Sequence, residues 1–134
     1  MVQFIGTYKH ESDENLEEVF IKMGMGFLMR KLALRSKPTV EVEVDGDTWT
    51  ITTKVTVRTM IWTFKLGEET FVDSTEGTVK VVFSVEDDKL IQTPVENQGD
   101  RVMTSVRHFT SDGLIQTLTH TASGTVATRH YKRV

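Results

Sequence analysis

Residues 39–55 read TVEVEVDGDTWTITTKV, and this stretch decides the fold class. Valines alternate with acidic residues from Val40 to Asp45, and this period of two is typical of a β-strand with one buried face. Asp45-Gly46 is a hairpin signal, because glycine tolerates the positive φ angles of tight turns. The alternation resumes from Trp49 to Val55, so the sequence predicts an antiparallel hairpin.

The same pattern continues to the end of the chain. After the first hairpin, further candidate strands cover residues 58–66, 69–74, 77–86, 89–96, 101–109, 114–120 and 125–132. Together with a first strand over residues 4–10, about ten strands are predicted, with turns about every 8–12 residues. This spacing is typical of an all-β sandwich or barrel.

A change of period separates the first strand from the second. Ser12 or Asp13 is expected to cap a helix that carries one apolar stripe. The stripe has the helical spacing i, i+3, i+4, i+7 and consists of Leu16, Val19, Phe20 and Met23. Gly24 is expected to end this helix, and a second helix is predicted over Phe27–Arg35, before Pro38. A meander of hairpins with one early helical pair predicts an up-and-down β-barrel with an N-terminal helical lid.

Composition narrows the functional classes. The chain has 134 residues and no low-complexity linker, so residues 1–134 are expected to form a single domain. It has no cysteine and a formal net charge of -3, which argues against a disulfide framework, thiolate chemistry and nucleic-acid binding. The first residues do not resemble a signal peptide, and no apolar run approaches about 18 residues. We therefore expect an intracellular protein.

Motifs for catalysis and metal binding are missing from the sequence. It contains neither a Gly-x-Ser-x-Gly elbow nor a glycine-rich phosphate loop. The histidines lack the i, i+4 spacing of a helical zinc site, and we expect them on the outer faces of strands. They are His10, His108, His120 and His130. The sequence therefore predicts no enzyme, no cofactor and no metal site.

Four motifs occur in order along essentially the whole chain. They are Phe4–Lys9; Met23–Phe27 with Arg30-Lys31 and Lys37–Thr39; Phe64–Glu69; and Leu118–His120 followed by Thr128–Tyr131. Together they resemble the intracellular lipid-binding proteins, especially the fatty-acid-binding proteins, with the cellular retinoic-acid-binding proteins as close relatives. The resemblance implies a ten-stranded antiparallel barrel, two helices over one opening, and a hydrophobic ligand inside.

The resemblance also implies which residues bind the ligand carboxylate: Arg107, Arg129 and Tyr131. Val106-Arg107 matches the family's Val-Arg pattern in the eighth strand, and Arg129-His130-Tyr131 matches its Arg-x-Tyr pattern in the last strand. Arg129 and Tyr131 are two residues apart, so they share one face of a strand. Guanidinium and hydroxyl donors suit a carboxylate.

Alternation in the strand 101–109 points the other way. Val102, Thr104 and Val106 form its more core-like face, so pattern alone predicts that Arg107 points outward. Only the resemblance places the Arg107 side chain inside the barrel.

The arginines also narrow the ligand class. Retinol carriers of this family place glutamines at the two arginine positions, whereas an acid needs a cation. The resemblance therefore implies a long-chain fatty acid first, and retinoic acid or another hydrophobic acid second. The alternatives are a lipocalin-type extracellular carrier, a small enzyme on a related barrel, and a structural protein at the membrane surface. The early helices and the lack of cysteine argue against a lipocalin, and the acidic net charge argues against a membrane-surface role.

The helical segment suggests a portal and a basic surface. The candidate portal residues are Met25, Leu28, Met29, Val57 and Arg58. The resemblance implies the last two, with valine and arginine where the family commonly has phenylalanine and lysine, and the adaptable methionine side chains suit a portal. Basic side chains that could contact anionic membranes transiently are Lys22, Arg30 and Lys31. The resemblance implies nuclear import as another role for the same side chains. We expect a monomer in the cytoplasm, with the nucleus as a second location.

Overall fold

A computed structural model describes residues 4–56, 58–74, 77–95, 98–99 and 102–134. The elements in these ranges are strands and two short helices. In chain order they are β1 (Gly6–Glu14), α1 (Leu16–Lys22), α2 (Phe27–Arg35), β2 (Thr39–Asp45), β3 (Thr48–Lys54), β4 (Thr59–Lys65), β5 (Glu69–Ser74), β6 (Gly77–Glu86), β7 (Lys89–Pro94), β8 (Met103–Phe109), β9 (Gly113–His120) and β10 (Val126–Arg133).

The strands form one antiparallel sheet of ten in the order β4-β3-β2-β1-β10-β9-β8-β7-β6-β5. The edge strands β4 and β5 form no backbone ladder with each other among the described residues. The indole Nε1 of Trp62 on β4 nevertheless donates a hydrogen bond of 3.1 Å to the Asp73 carbonyl on β5. The sheet is therefore curled into a nearly closed barrel, and the predicted all-β barrel with a helical lid is confirmed.

The β2–β3 hairpin forms where the sequence predicts it. Gly46 has a φ of 63°, in the left-handed region that favours glycine. The register pairs Val42 with Ile51 and Val44 with Trp49. Val42, Ile51 and Trp49 are buried, so the predicted apolar face of this hairpin lines the barrel interior.

Aromatic rings fill the interior near the Phe109 end of β8. Phe4 packs between Trp49 and Phe109, with ring centroids 5.3 and 5.1 Å away. Phe64 and Phe83 are stacked with centroids 3.7 Å apart. These contacts join β3, β4, β6 and β8 and hold the barrel wall together at this end.

The helices cover the other end of the barrel unequally. Helix α1 buries Leu16, Val19 and Phe20 in a cluster with Leu118 and Ala127 of the barrel wall. Helix α2 has no buried residue, although its bounds are those predicted. In the described ranges, neither helix has the length and apolar character needed to cross a bilayer.

Strand β1 is longer than the sequence indicates, and the predicted cap at Ser12 or Asp13 is wrong. The β1–β10 ladder continues to Glu14 past an irregularity between His10 and Ser12. Asn15, not Asp13, precedes α1, and its side chain donates to the Val126 carbonyl at 2.9 Å instead of capping the helix. Because the bulge adds one residue to β1, the alternation shifts, and His10 and Asp13 lie on the same inner face.

Candidate ligand-binding site

A row of polar side chains crosses four neighbouring strands inside the barrel. The register pairs Asp13 of β1 with Arg129 of β10, and Arg129 with Gln116 of β9. Gln116 is paired in turn with Arg107 of β8. Directly paired side chains project from the same face of a sheet, about 5 Å apart at Cβ. The structure therefore brings both sequence-predicted arginines into one row.

Arg107 is buried, at 7% exposure, although alternation alone predicts that it points outward. Ser105 and Phe109 are buried on the same face of β8, whereas His108 is exposed. The valine and threonine residues made the opposite face look like the inner one, but β-branched residues occur on either face of a strand. The outward prediction is wrong because the barrel closes around the other face.

The partners of the Arg107 guanidinium are neutral. Its Nη1 donates a hydrogen bond of 3.0 Å to the side-chain carbonyl oxygen of Gln92. Its Cζ lies 5.7 Å from the centroid of the Trp62 ring. In the part of the chain that the structure describes, Arg107 makes no salt bridge. Burial lowers the pKa of Arg107 to about 10, so the side chain is a buried cation at neutral pH.

Arg129 has an acidic partner inside the barrel. Its Nε donates a hydrogen bond of 2.8 Å to Asp13 Oδ1. The same oxygen lies 2.7 Å from His10 Nε2. The Nη2 of Arg129 is buried and has no hydrogen-bond partner within the described ranges. This guanidinium therefore combines a compensated charge with an unused donor.

Tyr131 lies beside both arginines. The Arg129 Cζ is 5.9 Å from its ring centroid, and Tyr131 itself is buried. Burial raises the pKa of the Tyr131 hydroxyl, the positive charges of Arg129 and Arg107 oppose that rise, and Asp13 adds to it. The hydroxyl is therefore neutral at physiological pH and available as a donor. The structure thus places Arg107, Arg129 and Tyr131 together.

Sequence reasoning missed two polar residues of this cluster, Gln92 and Asp13. Gln92 follows Leu90 by two residues on β7, and this alternation was the available signal for its inward direction. Gln116 donates from Nε2 to Ser105 Oγ at 2.9 Å, so it belongs to the same polar network. Alternation gave no such signal for Asp13, because it reaches the inner face of β1 only through the bulge.

The expectation that the histidines lie on outer faces is wrong for two of them. The His10 side chain is only 7% exposed, and His120 is buried with its Nδ1 2.7 Å from Ser123 Oγ in the β9–β10 turn. His108 is exposed, as expected. No group of His, Cys, Asp and Glu with the geometry of a metal site occurs in the described residues.

The residues suggested for a portal occupy different environments. Met25 is buried at 2% exposure, in the cluster under α1. Leu28 and Met29 of α2 are exposed at 78% and 43%. Arg58, before β4, is exposed, and Val57 lies outside the described residues.

The basic residues of the helical segment are not equivalent. Lys22 and Lys31 are exposed, and the Lys31 Nζ lies 5.3 Å from the Phe27 ring centroid. Arg30 is folded back, with Nη1 donating to the Met25 carbonyl at 3.0 Å. Of the three predicted basic residues, Lys22 and Lys31 therefore present their charge to solvent, whereas Arg30 is partly withdrawn.

Known proteins are similar to this chain in sequence and fold. Residues 5–134 match the lipocalin / cytosolic fatty-acid binding protein family. A fatty acid-binding protein of Tyrophagus putrescentiae is 43% identical over 99% of both chains, and cellular retinoic acid-binding protein 2 of Homo sapiens is 36% identical over 99% of both. The solved structure of the Schistosoma mansoni fatty acid binding protein in complex with arachidonic acid has a TM-score of 0.89 at 32% identity, covering 98% of this chain and 96% of that one. The chain therefore belongs to the lipocalin / cytosolic fatty-acid binding protein family.

Proposed function

We propose that this protein binds a long-chain fatty acid, or a similar hydrophobic carboxylate, inside the barrel and carries it without chemical change. The observation that carries this proposal is the buried cation of Arg107, whose partners Gln92 and Trp62 are both neutral. A buried charge without a counter-ion is costly. A ligand carboxylate would provide the missing counter-ion.

The proposed anchor consists of Arg107, Arg129 and Tyr131. The unused Nη2 donor of Arg129 and the Tyr131 hydroxyl add hydrogen bonds to the charge of Arg107. Each charge-assisted hydrogen bond contributes about 1.5–3 kcal/mol net. The acyl chain adds ~0.8 kcal/mol for each CH₂ removed from water, so chain length contributes most of the affinity.

The relatives support this ligand class. One relative is named a fatty acid-binding protein, and a solved structure of similar fold contains arachidonic acid. Retinoic acid is the second candidate, because another relative is named a cellular retinoic acid-binding protein. Both candidates have a hydrophobic body and a carboxylate head, so the same anchor serves either.

Ligand entry is proposed at the helical lid. Helix α2 exposes large apolar side chains beside basic ones, with an open groove of about 450 Å³ along it. The proposed entrance is formed by Met25, Leu28, Met29, Val57 and Arg58. An apolar helix face with flanking lysines, here Lys22 and Lys31, suits transient contact with anionic membranes. We propose that the protein is a monomer in the cytoplasm, and that the same basic surface allows it to enter the nucleus.

Displacement of a fluorescent fatty-acid probe tests the proposal. Palmitic acid and hexadecanol have the same chain length, and their dissociation constants are compared in wild type, Arg107→Gln and Lys132→Gln. Lys132 is the matched control, because it is an exposed cation on β10. We expect Arg107→Gln to weaken the acid about 10- to 100-fold and the alcohol less than about threefold. Equal effects on acid and alcohol would reject the anchor, and no binding by folded, delipidated wild type would reject the carrier function.

A further inference from the structure

We propose that Asp13 is a resident counter-ion that sets the head-group charge accepted by the barrel, favouring a monoanionic over a dianionic lipid head. This inference rests on the proposed function, since it concerns the same carboxylate anchor. It identifies Asp13 as a residue that determines specificity.

Asp13 and Arg129 form an ion pair inside the barrel wall. Their side chains are 16% and 13% exposed, and Asp13 Oδ1 accepts the Arg129 Nε hydrogen bond at 2.8 Å. Charges in such shielded positions interact more strongly than on the surface. The Asp13 carboxylate therefore already compensates the charge of Arg129 before any ligand arrives.

His10 and the β1 bulge hold Asp13 in this position. His10 Nε2 lies 2.7 Å from the same Asp13 oxygen, three residues away along β1. The register then pairs Asp13 with Arg129 and His10 with Tyr131. Asp13 thus has two partners inside the barrel and is oriented towards the proposed anchor.

The charges around the anchor leave one uncompensated cation. Arg129 is paired with Asp13, whereas Arg107 has only neutral partners among the described residues. A monoanionic carboxylate neutralises this excess. A dianionic phosphate would leave a net negative charge next to Asp13 in a shielded interior, which is unfavourable. Arg129 can still donate from its unused Nη2, so it contributes a hydrogen bond but little net charge.

Binding of three ligands with the same chain tests this inference. Palmitic acid, hexadecyl phosphate and hexadecanol are compared at about pH 8, where the phosphate is mostly dianionic. Wild type is expected to bind the acid at least as tightly as the phosphate. Asp13→Asn is expected to lower the dissociation constant of the acid about tenfold and that of the phosphate about 100-fold. The dissociation constant of the alcohol should change by less than about twofold. An unchanged ratio of acid to phosphate affinity in Asp13→Asn would overturn the inference.

A double variant separates charge compensation from direct contact. Arg129→Gln leaves Asp13 as an unpaired anion beside the ligand and is expected to weaken the acid strongly. Adding Asp13→Asn removes that anion and is expected to recover at least about tenfold of the acid affinity that Arg129→Gln loses, although the hydrogen bond from Arg129 stays absent. A double variant as weak as Arg129→Gln would show that Asp13 does not set the charge.

The outcomes distinguish this inference from the proposed function. If Arg107→Gln does not weaken the acid selectively, the anchor itself fails. If Arg107→Gln weakens binding of the acid selectively but Asp13→Asn leaves the ratio of acid to phosphate affinity unchanged, only the proposed role of Asp13 fails. Thermal melting verifies folding of each variant, and should Asp13→Asn not fold, the charge-neutral double variant and the wild-type preference for acid over phosphate decide the question.

Discussion

The guanidinium of Arg107 lies against the indole of Trp62, with 5.7 Å between Cζ and the ring centroid. The same indole donates its Nε1 hydrogen to the Asp73 carbonyl across the β4–β5 opening. Trp62 therefore contacts both the proposed carboxylate anchor and the part of the wall where the strand ladder is interrupted. Any ligand that draws the Arg107 charge towards itself alters the surroundings of this indole.

Tryptophan emission should report ligand binding through Trp62. Palmitic acid is expected to change the emission of wild type, because the cation over the indole face becomes paired with the carboxylate. Trp62→Phe should lose most of this change. Trp49→Phe should keep it, since Trp49 stacks on Phe64 with centroids 6.0 Å apart and is the matched control. A full signal in Trp62→Phe would contradict the proposed position of the carboxylate.

Binding of the acid should decline at high pH. Burial lowers the pKa of Arg107 to about 10, so above that pH the free protein loses the anchoring cation. We expect the dissociation constant of palmitic acid to rise through about pH 10, while that of hexadecanol stays level. The ratio of the two constants is the measurement, because it cancels general effects of alkali. Arg107→Gln should show a flat ratio over the same range.

The titrations of Arg107 and Tyr131 change the stability of the fold with pH in opposite directions. The pKa of Arg107 is lower in the folded state than in the unfolded state, so above about pH 10 the unfolded state binds more protons and the Arg107 contribution to stability rises with pH. The pKa of Tyr131 is raised, so its contribution is present below about pH 10 and is lost as pH rises above that. Urea unfolding of Arg107→Gln and Tyr131→Phe over this range should show each slope removed.

The two helices should contribute unequally to stability. Phe20 is 7% exposed under α1, so Phe20→Ala should lower the free energy of unfolding by about 3–5 kcal/mol. Leu28 on α2 is 78% exposed, and Leu28→Ala should change it by less than about 0.5 kcal/mol. Urea unfolding followed by circular dichroism measures both. Equal losses would mean that α2 is packed more tightly than the structure shows.

Transfer of ligand to membranes should depend on the exposed lysines of the lid. Lys31→Glu is expected to slow fatty-acid transfer to anionic vesicles several-fold, because it places like charge at the membrane surface. Lys89→Glu is the matched control, an exposed lysine at the start of β7, away from the helices. Neutral vesicles should show no difference. Equal rates of fatty-acid transfer to anionic vesicles in both variants would contradict a membrane role for α2.

Local sequence determined most of the fold. The alternation from Val40 to Val55 and the Asp45-Gly46 turn specify the β2–β3 hairpin, because side-chain direction and turn geometry depend on neighbours in the chain. The bounds of α2 and the end of α1 near Gly24 follow from the same kind of signal. These features need no distant contact.

The inner face of the barrel was decided by tertiary structure. Alternation on β8 predicted the wrong direction for Arg107, because a strand with valine and threonine on one face and serine and methionine on the other has two acceptable inward faces. Closure of the ladder between β7 and β9 selected one of them. Asp13 gave the signal of a helix cap, yet pairing with β10 through a bulge turned it towards Arg129. Sequence alone specifies which residues can form a strand, whereas the side of the sheet that is sealed from water depends on partners more than 100 positions away.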